Sequence, residues 1–356
     1  MLSDASIVLS RNIDALSRGF ARRVVDRHEQ MDPTIGDRYG AGWRREWAAE
    51  VETRIRYLSQ AVALNQSGIF TRALDWTGAA FAARGIDASD LSVSLRAMQE
   101  GVAEDLPEDV ADAVTPHVQA ALSSEDGNGD AECSPQQGPP RSEIGLRYLA
   151  RLLDGDQKGA IGEVIGAARD GIPVRELLRD AIGPAQVEIG AMWHRGEVTI
   201  AEEHFATSTA ETVLTLLQAF YPKVEPNGKR IVGAGVAGDL HGIGLRIVTE
   251  YFAIEGWQTR YLGANVPAED LLTDIGTYPA DVLGLSIGSF LNARMLGEVV
   301  RLVRRSPGCE DIKIIVGGPP FASVPELADS FDVDGVGKSA EDAVVLANKL
   351  VLDRAG

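Results

Sequence analysis

The chain has 356 residues, enough for two or three domains. It carries 34 Lys and Arg against 52 Asp and Glu, and this net charge of −18 speaks against a nucleic-acid binder or a protein drawn to anionic membranes. Its two cysteines, Cys133 and Cys309, exclude a disulfide scaffold and a cysteine-based zinc cluster. With no signal-peptide pattern and no apolar run of about 18 residues, we expect a cytoplasmic protein.

The first part of the chain predicts an all-helical domain. Apolar residues recur at three- and four-residue steps within 7–25, 47–62 and 110–122, a spacing typical of amphipathic helices. We expect five or six helices over residues 1–122. Residues 123–142 are rich in Ser, Gly, Pro, Asp and Gln, and this composition predicts a linker.

The remainder predicts two further domains. The helical periodicity over residues 143–225, with a turn at Arg195–Gly196, indicates a four-helix bundle. Over residues 226–356 strands and helices alternate, which indicates a doubly wound parallel sheet, a flavodoxin-like α/β domain with helices on both faces. The expected strands are 230–236, 258–262, 282–287, 312–316 and 333–336, and the expected helices are 244–253, 268–275, 293–304, 325–330 and 340–352.

The first strand of this sheet ends in a glycine-rich loop, GAGVAGDLHGIG, residues 233–244. The spacing of its glycines matches the dinucleotide-binding fingerprint, but two features count against a dinucleotide site. Asp239 and His241 stand between the glycines and the helix, and the second strand ends without the acidic residue that would bind a ribose. The spacing Asp239-x-His241-x-x-Gly244 instead suggests a metal-binding imidazole whose other ring nitrogen is held by a carboxylate. In isolation, a capping Asp beside an incidental surface His remains the alternative.

The other strand ends favour the metal-binding interpretation. Ser286 ends the third strand and Gly317-Gly318 ends the fourth, so both lie at the same sheet edge as the His241 loop. There are 41 residues between Gly244 and Ser286, and 28 between Gly288 and Gly317.

Together these elements resemble the cobalamin-binding signature, Asp-x-His-x-x-Gly, then Ser-x-Leu, then Gly-Gly. The resemblance implies that His241 is the lower axial ligand of cobalt, with Asp239 behind it. The nucleotide tail of the cofactor would lie beside Ser286 and Gly317. The chain departs from the signature at one position, where Gly288 replaces the Leu of Ser-x-Leu.

The predicted bundle carries a second pattern. Nine residues separate Trp193 from the pair Glu203-His204, so both ends can face one ligand across the turn between two helices. A buried Trp with a solvated Glu-His pair is the alternative. Directly upstream of a cobalamin domain, the pattern resembles the cap of light-sensing adenosylcobalamin repressors.

That resemblance implies roles for the cap residues around the adenosyl group. Trp193 would form an apolar wall, Glu203 would accept hydrogen bonds, and Ile200 would complete the pocket. After light has broken the cobalt–carbon bond, His194 would bind cobalt from above, with His204 as its competitor. The expected cofactor-binding residues are therefore Asp239, His241, Gly244, Ser286, Gly288, Gly317, Gly318, Trp193, His194, Ile200, Glu203 and His204.

The first domain does not resemble the DNA-binding domain of those repressors. A helical domain joined to a light-responsive cobalamin module is instead similar to the photocobilins, which pair cobalamin with a bilin, and this implies biliverdin as a second cofactor. The residues proposed to line its pocket are Phe20, Trp43, Trp47, Tyr57, Phe70, Trp76 and Phe81, with Arg72, Arg84 and Arg96 for its propionates. The alternatives are that these aromatic residues form the bundle core and that Cys133, a candidate thioether ligand, is incidental.

The leading hypothesis from the sequence is a non-enzymatic photoreceptor for adenosylcobalamin. A corrinoid methyl-shuttle subunit of a methyltransferase system uses the same His241 loop and is the alternative, and a passive cobalamin carrier is the third. We expect a homo-oligomer with a downstream protein partner and with no nucleic-acid or membrane partner.

Overall fold

The computed structural model describes residues 2–125 and 139–352. These residues form two compact units. The first contains the described residues up to 125 together with 290–297 and 323–331, and the second contains the rest. No described helix combines the length and the apolar character needed to cross a membrane.

The described part of the N-terminal region is all-helical, as the periodicity predicts. Its helices are α1 (Asp4–Met31), α2 (Ile35–Tyr39), α3 (Trp43–Leu64), α4 (Ser67–Ala83), α5 (Ala88–Asp105) and α6 (Glu108–Glu125). Helix α6 continues to Glu125, so the predicted linker start at residue 123 was too early. Cys133 lies outside the described residues.

Close packing holds the first unit together. A Cβ on Gly101 of α5 would lie 2.9 Å from the Phe20 ring of α1, so the two helices approach where one has no side chain. The segment 290–297 belongs to this unit through Arg294. Its backbone amide donates to Oε1 of Gln60 at 2.8 Å, and its guanidinium pairs with Asp14 at 2.8 Å.

The second unit begins with the predicted helical bundle. Its helices are α7 (Glu143–Leu153), α8 (Gln157–Arg169), α9 (Val174–Leu177), α10 (Gly183–His194) and α11 (Ile200–Leu217). A π-helical turn, Leu178–Ile182, joins α9 to α10 without a break, so four helices are formed in space. Helix α11 starts with a capping box, in which the Thr199 hydroxyl accepts from the Glu202 amide and the Glu202 carboxylate accepts from the Thr199 amide.

A five-stranded parallel sheet follows in the order β2-β1-β3-β4-β5, the flavodoxin-like order. Its strands are β1 (Arg230–Val236), β2 (Gln258–Val266), β3 (Val282–Ser286), β4 (Lys313–Gly317) and β5 (Gly335–Gly337). The helices between and after them are α12 (Ile243–Ile254), α13 (Ala268–Thr277), α14 (Ala293–Arg305), α15 (Pro319–Ser323) and α16 (Ala340–Leu352). The predicted fold class is confirmed.

The predicted elements of the sheet domain differ most clearly from the structure in three places, and its other predicted bounds lie within two residues of the observed ones. Strand β2 runs to Val266 instead of ending at Leu262, because the register shifts twice against β1 and the chain stays paired. Strand β5 begins at Gly335 rather than residue 333, and Pro325–Ser330 is a 3₁₀ helix rather than an α-helix.

The topology locates the crevice in which a ligand is expected. The strand order reverses between β1 and β3, and ligands of such sheets bind outside the carboxyl ends at this switch point. Ser286 of β3 pairs in register with Gly235 of β1 and with Gly317 of β4. The loops after these three strands therefore emerge side by side.

Candidate functional site

The loop after β1 is organised around one buried carboxylate. The Asp239 side chain is 1% exposed and accepts hydrogen bonds from Nδ1 of His241 at 2.8 Å and from the His241 amide at 2.9 Å. It also accepts from the amide of Gly288, which follows β3. Asp239 thus ties together the loops on both sides of the switch point.

His241 projects from this anchor into solvent, since 70% of its side chain is exposed. The hydrogen bond to Asp239 raises the pKa of His241, and the nearby charge of Glu203 adds to the effect. Burial alone would raise the pKa of Asp239, but the hydrogen bonds from His241 and Gly288 outweigh it and lower that pKa. In the neutral ring, the hydrogen bond to Asp239 favours the tautomer in which Nδ1 carries the proton and Nε2 presents its lone pair.

The glycine that departs from the signature has a local explanation. A Cβ on Gly288 would collide with the His241 imidazole, so only glycine lets the ring lie against this loop. Gly318 has a φ of +117°, and a Cβ there would strike the Ile287 carbonyl. A Cβ on Gly317 would lie 3.2 Å from the Gly337 carbonyl oxygen, whereas one on Gly244 would meet nothing within 4 Å. Contacts within the protein therefore require glycine at positions 288 and 318.

Sequence reasoning missed two residues that shape the loop. Asn265 adopts a left-handed φ of 56°, and its Oδ1 accepts from the Gly238 amide at 2.7 Å. The Tyr261 hydroxyl donates to the Gly242 carbonyl at 3.1 Å. Both lie on the stretch of β2 around and beyond its predicted end, and an Asn three residues past an expected strand carries no signal of this role.

The cap residues lie at the ends of two helices of the bundle. Trp193 and His194 end α10, where both are half-buried. Glu203, in the first turns of α11, is half-buried, accepts from the Thr207 hydroxyl at 2.9 Å and pairs with Nδ1 of His204 at 2.6 Å. Its charge contributes to the raised pKa of His241.

Two large aliphatic side chains at or beside the site are highly exposed to solvent. Ile200, at the start of α11, is 59% exposed, and Leu240, between Asp239 and His241, is 77% exposed. His204 is also exposed, to 70% of its side chain. Leu240 was not identified from the sequence, because nothing in its neighbourhood distinguishes it from a core residue.

The aromatic residues of the first unit pack as a core. Trp47 contacts the rings of His28, Tyr39 and Phe81 at centroid distances of 5.6, 5.2 and 5.4 Å. Phe20, Trp43 and Phe70 are buried as well, while Trp76 is 39% exposed. Arg72, Arg84 and Arg96 all lie on the surface. These contacts support the interpretation of a bundle core and give no support to the biliverdin hypothesis.

Known families match both halves of the second unit. Residues 229–346 match the family described as the B12 binding domain, and residues 146–218 match a second family of the same description. The sheet with its His241 loop and the helical bundle are thus matched separately and in this order.

Similar proteins match this same region. A dimethylamine corrinoid protein of Methanosarcina acetivorans is 26% identical over 208 residues, which are 58% of this chain and 97% of the relative. A corrinoid protein of Desulfitobacterium hafniense is 26% identical over 207 residues, 56% of this chain and 94% of the relative. In structure, the monomethylamine corrinoid protein of Methanosarcina barkeri aligns with a TM-score of 0.50 at 18% identity, covering 58% of this chain and 98% of that one, and so shares the fold.

These relatives support cobalamin binding and agree with the expectation that the chain is not itself an enzyme. They do not support the light-sensing specificity, the adenosyl form of the cofactor or biliverdin. Residues 146–218 and 229–346 are thus each similar to a B12 binding domain, with the helical match preceding the parallel-sheet match.

Proposed function

We propose that this protein is a corrinoid carrier, which holds cobalamin on His241 and presents the group on the upper face of cobalt to a partner protein. The observation that carries the proposal is the Asp239–His241 pair, with a buried carboxylate behind an exposed imidazole at the switch point of the sheet. The relatives that are matched over nearly their whole length are named as corrinoid proteins.

The residues present fit such a cofactor. Nε2 of His241 is an exposed nitrogen ligand of the kind that cobalt accepts, and Asp239 fixes the ring orientation and the tautomer. The space beside Gly244 is open. When bound, the cofactor supplies a weak cobalt–carbon bond. The chain itself holds the ring nitrogen of His241 in place. When Nε2 is not bound to cobalt, the imidazole retains an added proton more readily, because Asp239 raises the pKa of His241.

For the group carried, the relatives point to methyl. Several are named dimethylamine corrinoid proteins, so we propose a methyl group and a methyltransferase as the partner. The exposed Leu240 beside His241 offers an apolar contact for the corrin or for that partner.

A second candidate function is a light-responsive adenosylcobalamin receptor, and the cap favours it. Glu203 is already held by Thr207 and His204, and its charge contributes to the raised pKa of His241. A carboxylate at that point suits the hydroxyl and amino groups of an adenosyl ligand, whereas a methyl group has no donor to offer it. In this candidate Trp193 would line the adenosyl group, and His194 would hold cobalt after illumination.

Absorption spectra in the dark and after illumination distinguish the two functions. The cofactor-free protein is loaded in separate samples with methylcobalamin and with adenosylcobalamin. A carrier is expected to bind both with similar affinity and to leave water above cobalt after illumination. A receptor is expected to prefer adenosylcobalamin and to end with imidazole on both faces, which His194→Ala then abolishes. Failure to bind either cofactor would contradict both functions.

A further inference from the structure

The first unit contains a second group of ligand-type side chains. His28 lies in the last turn of α1, Asp32 ends that helix four residues later, and Asp90 lies in the first turn of α5. One side-chain donor atom from each lies within 4.8 Å of the other two. An i, i+4 pair on one helix face and a third ligand from a neighbouring helix are a common way to hold a metal ion.

The histidine of this group lacks a hydrogen-bond partner within the described ranges. His28 is 0% exposed, and neither Nδ1 nor Nε2 has a hydrogen-bonding neighbour there. Buried polar nitrogens are nearly always bonded, so this side chain is suited to a ligand that the polypeptide does not supply. Burial also lowers the pKa of His28, to about 4, so the ring is neutral and has a free lone pair near pH 7.

The two carboxylates are held in place by hydrogen bonds and ion pairs. The Arg38 guanidinium pairs with both Asp32 and Asp90, and Tyr39 donates to Asp90. Hydrogen bonds from Arg38 and Thr34 hold the pKa of Asp32 well below its usual range. The Arg38 side chain is 37% exposed, so it reaches this group from the surface. A guanidinium that bridges two carboxylates beside an unbonded imidazole occupies the position that a cation would take.

A second guanidinium, that of Arg54, contributes to the net charge around His28, Asp32 and Asp90. Arg54 is fully buried near His28, where it opposes a further positive charge. Arg54 lies 3.6 Å from the carboxylate of Glu50, which offsets this charge. With Arg38 swung outward, Asp32 and Asp90 would neutralise one divalent ion.

We propose that His28, Asp32 and Asp90 bind a divalent cation of the zinc type, and that Arg38 takes its place in the metal-free protein. One imidazole and two carboxylates suit Zn²⁺, whereas Ca²⁺ and Mg²⁺ favour sites made of oxygen atoms alone. Water fills the fourth position of the tetrahedral shell. The ion links the end of α1 to the start of α5 and is independent of cobalamin.

The test uses the full chain, free of cobalamin and treated with a chelator. Zn²⁺ is added and counted after desalting, and Co²⁺ is added to a second sample to record its visible absorption bands. We expect one ion per chain, and we expect His28→Gln to weaken binding by at least about tenfold. His117→Gln is the matched control, because His117 is also buried in this unit but bonds to the Ser67 hydroxyl at 2.8 Å.

Two further variants keep the result decisive. Asp90→Asn is expected to weaken binding as His28→Gln does, and it stands in should the latter fail to fold. His241→Ala is expected to retain the ion, which separates this site from the cobalamin site. No stoichiometric binding, equal affinity in His28→Gln and the unmodified protein, or loss of the ion in His241→Ala would each overturn the proposal.

Discussion

The imidazole of His241 lies against the α-carbon of Gly288, and the amide of Gly288 donates to the carboxylate that holds that imidazole. The departure from the cobalamin signature at position 288 therefore occurs where the signature histidine rests. Position 288 is a glycine and so has no side chain, and Asp239 joins the loop after β1 to the loop after β3.

Gly288→Leu, which restores the residue of the signature, is expected to displace the His241 ring and weaken cobalamin binding by about tenfold or more. The dissociation constant is measured by absorption titration in the dark. Gly276→Ala is the control, because a Cβ on that glycine of α13 meets nothing within 4 Å. Tighter binding by Gly288→Leu would show that the ring rests elsewhere when cobalt is bound.

Replacing Asp239 by Asn is expected to weaken cobalt ligation by about 10- to 100-fold, because the ring loses the carboxylate that orients it. The hydrogen bond to Asp239 raises the pKa of the free His241 imidazole, so in the cobalamin-free protein the protonated ring persists to higher pH than it does in Asp239→Asn. An NMR pH titration of His241 in the two cobalamin-free proteins measures the difference, and an unmoved midpoint would contradict the role of Asp239.

Glu203→Gln tests what the cap recognises. If the upper ligand is adenosyl, loss of the carboxylate is expected to reduce affinity for adenosylcobalamin by about tenfold and to leave methylcobalamin unaffected, since only adenosyl offers hydrogen-bond donors. Glu202→Gln is a neighbouring control, because Glu202 serves the capping box of α11. Equal small effects on both cofactors would favour the methyl carrier.

The buried imidazole of His28 predicts an acid-sensitive first unit. Its folded pKa of about 4 lies below the ordinary value of 6.5, so the unfolded chain binds the proton more tightly. Stability is therefore lost as the pH falls from about 6.5 towards about 4, by about 2 kcal/mol at pH 5. Urea unfolding with a chelator present measures the difference between pH 7 and pH 5. His28→Gln should show a smaller loss than the unmodified protein, and an equal loss would contradict the assignment.

The sequence predicted the elements with a regular apolar periodicity and the site whose residues form a recognisable motif. Helical periodicity identified the helices of both units, and the Asp239, His241 and Gly317 pattern located the sheet edge. It could not show that Gly288 and Asp239 bond across the switch point, because that contact joins residues far apart in the chain. It also missed the His28, Asp32 and Asp90 group, since Asp90 meets the other two only after α1 and α5 have packed.

The central claim is that a protein imidazole, that of His241, binds cobalt from below. The direct measurement is the electron paramagnetic resonance spectrum of the protein loaded with cob(II)alamin, prepared once with natural nitrogen and once with ¹⁵N-labelled histidine. Coordination by His241 predicts that the triplet splitting from ¹⁴N becomes a doublet in the labelled protein and disappears in His241→Ala. A triplet that persists in the labelled protein would show that the cofactor's own base is bound to cobalt, and it would contradict the account.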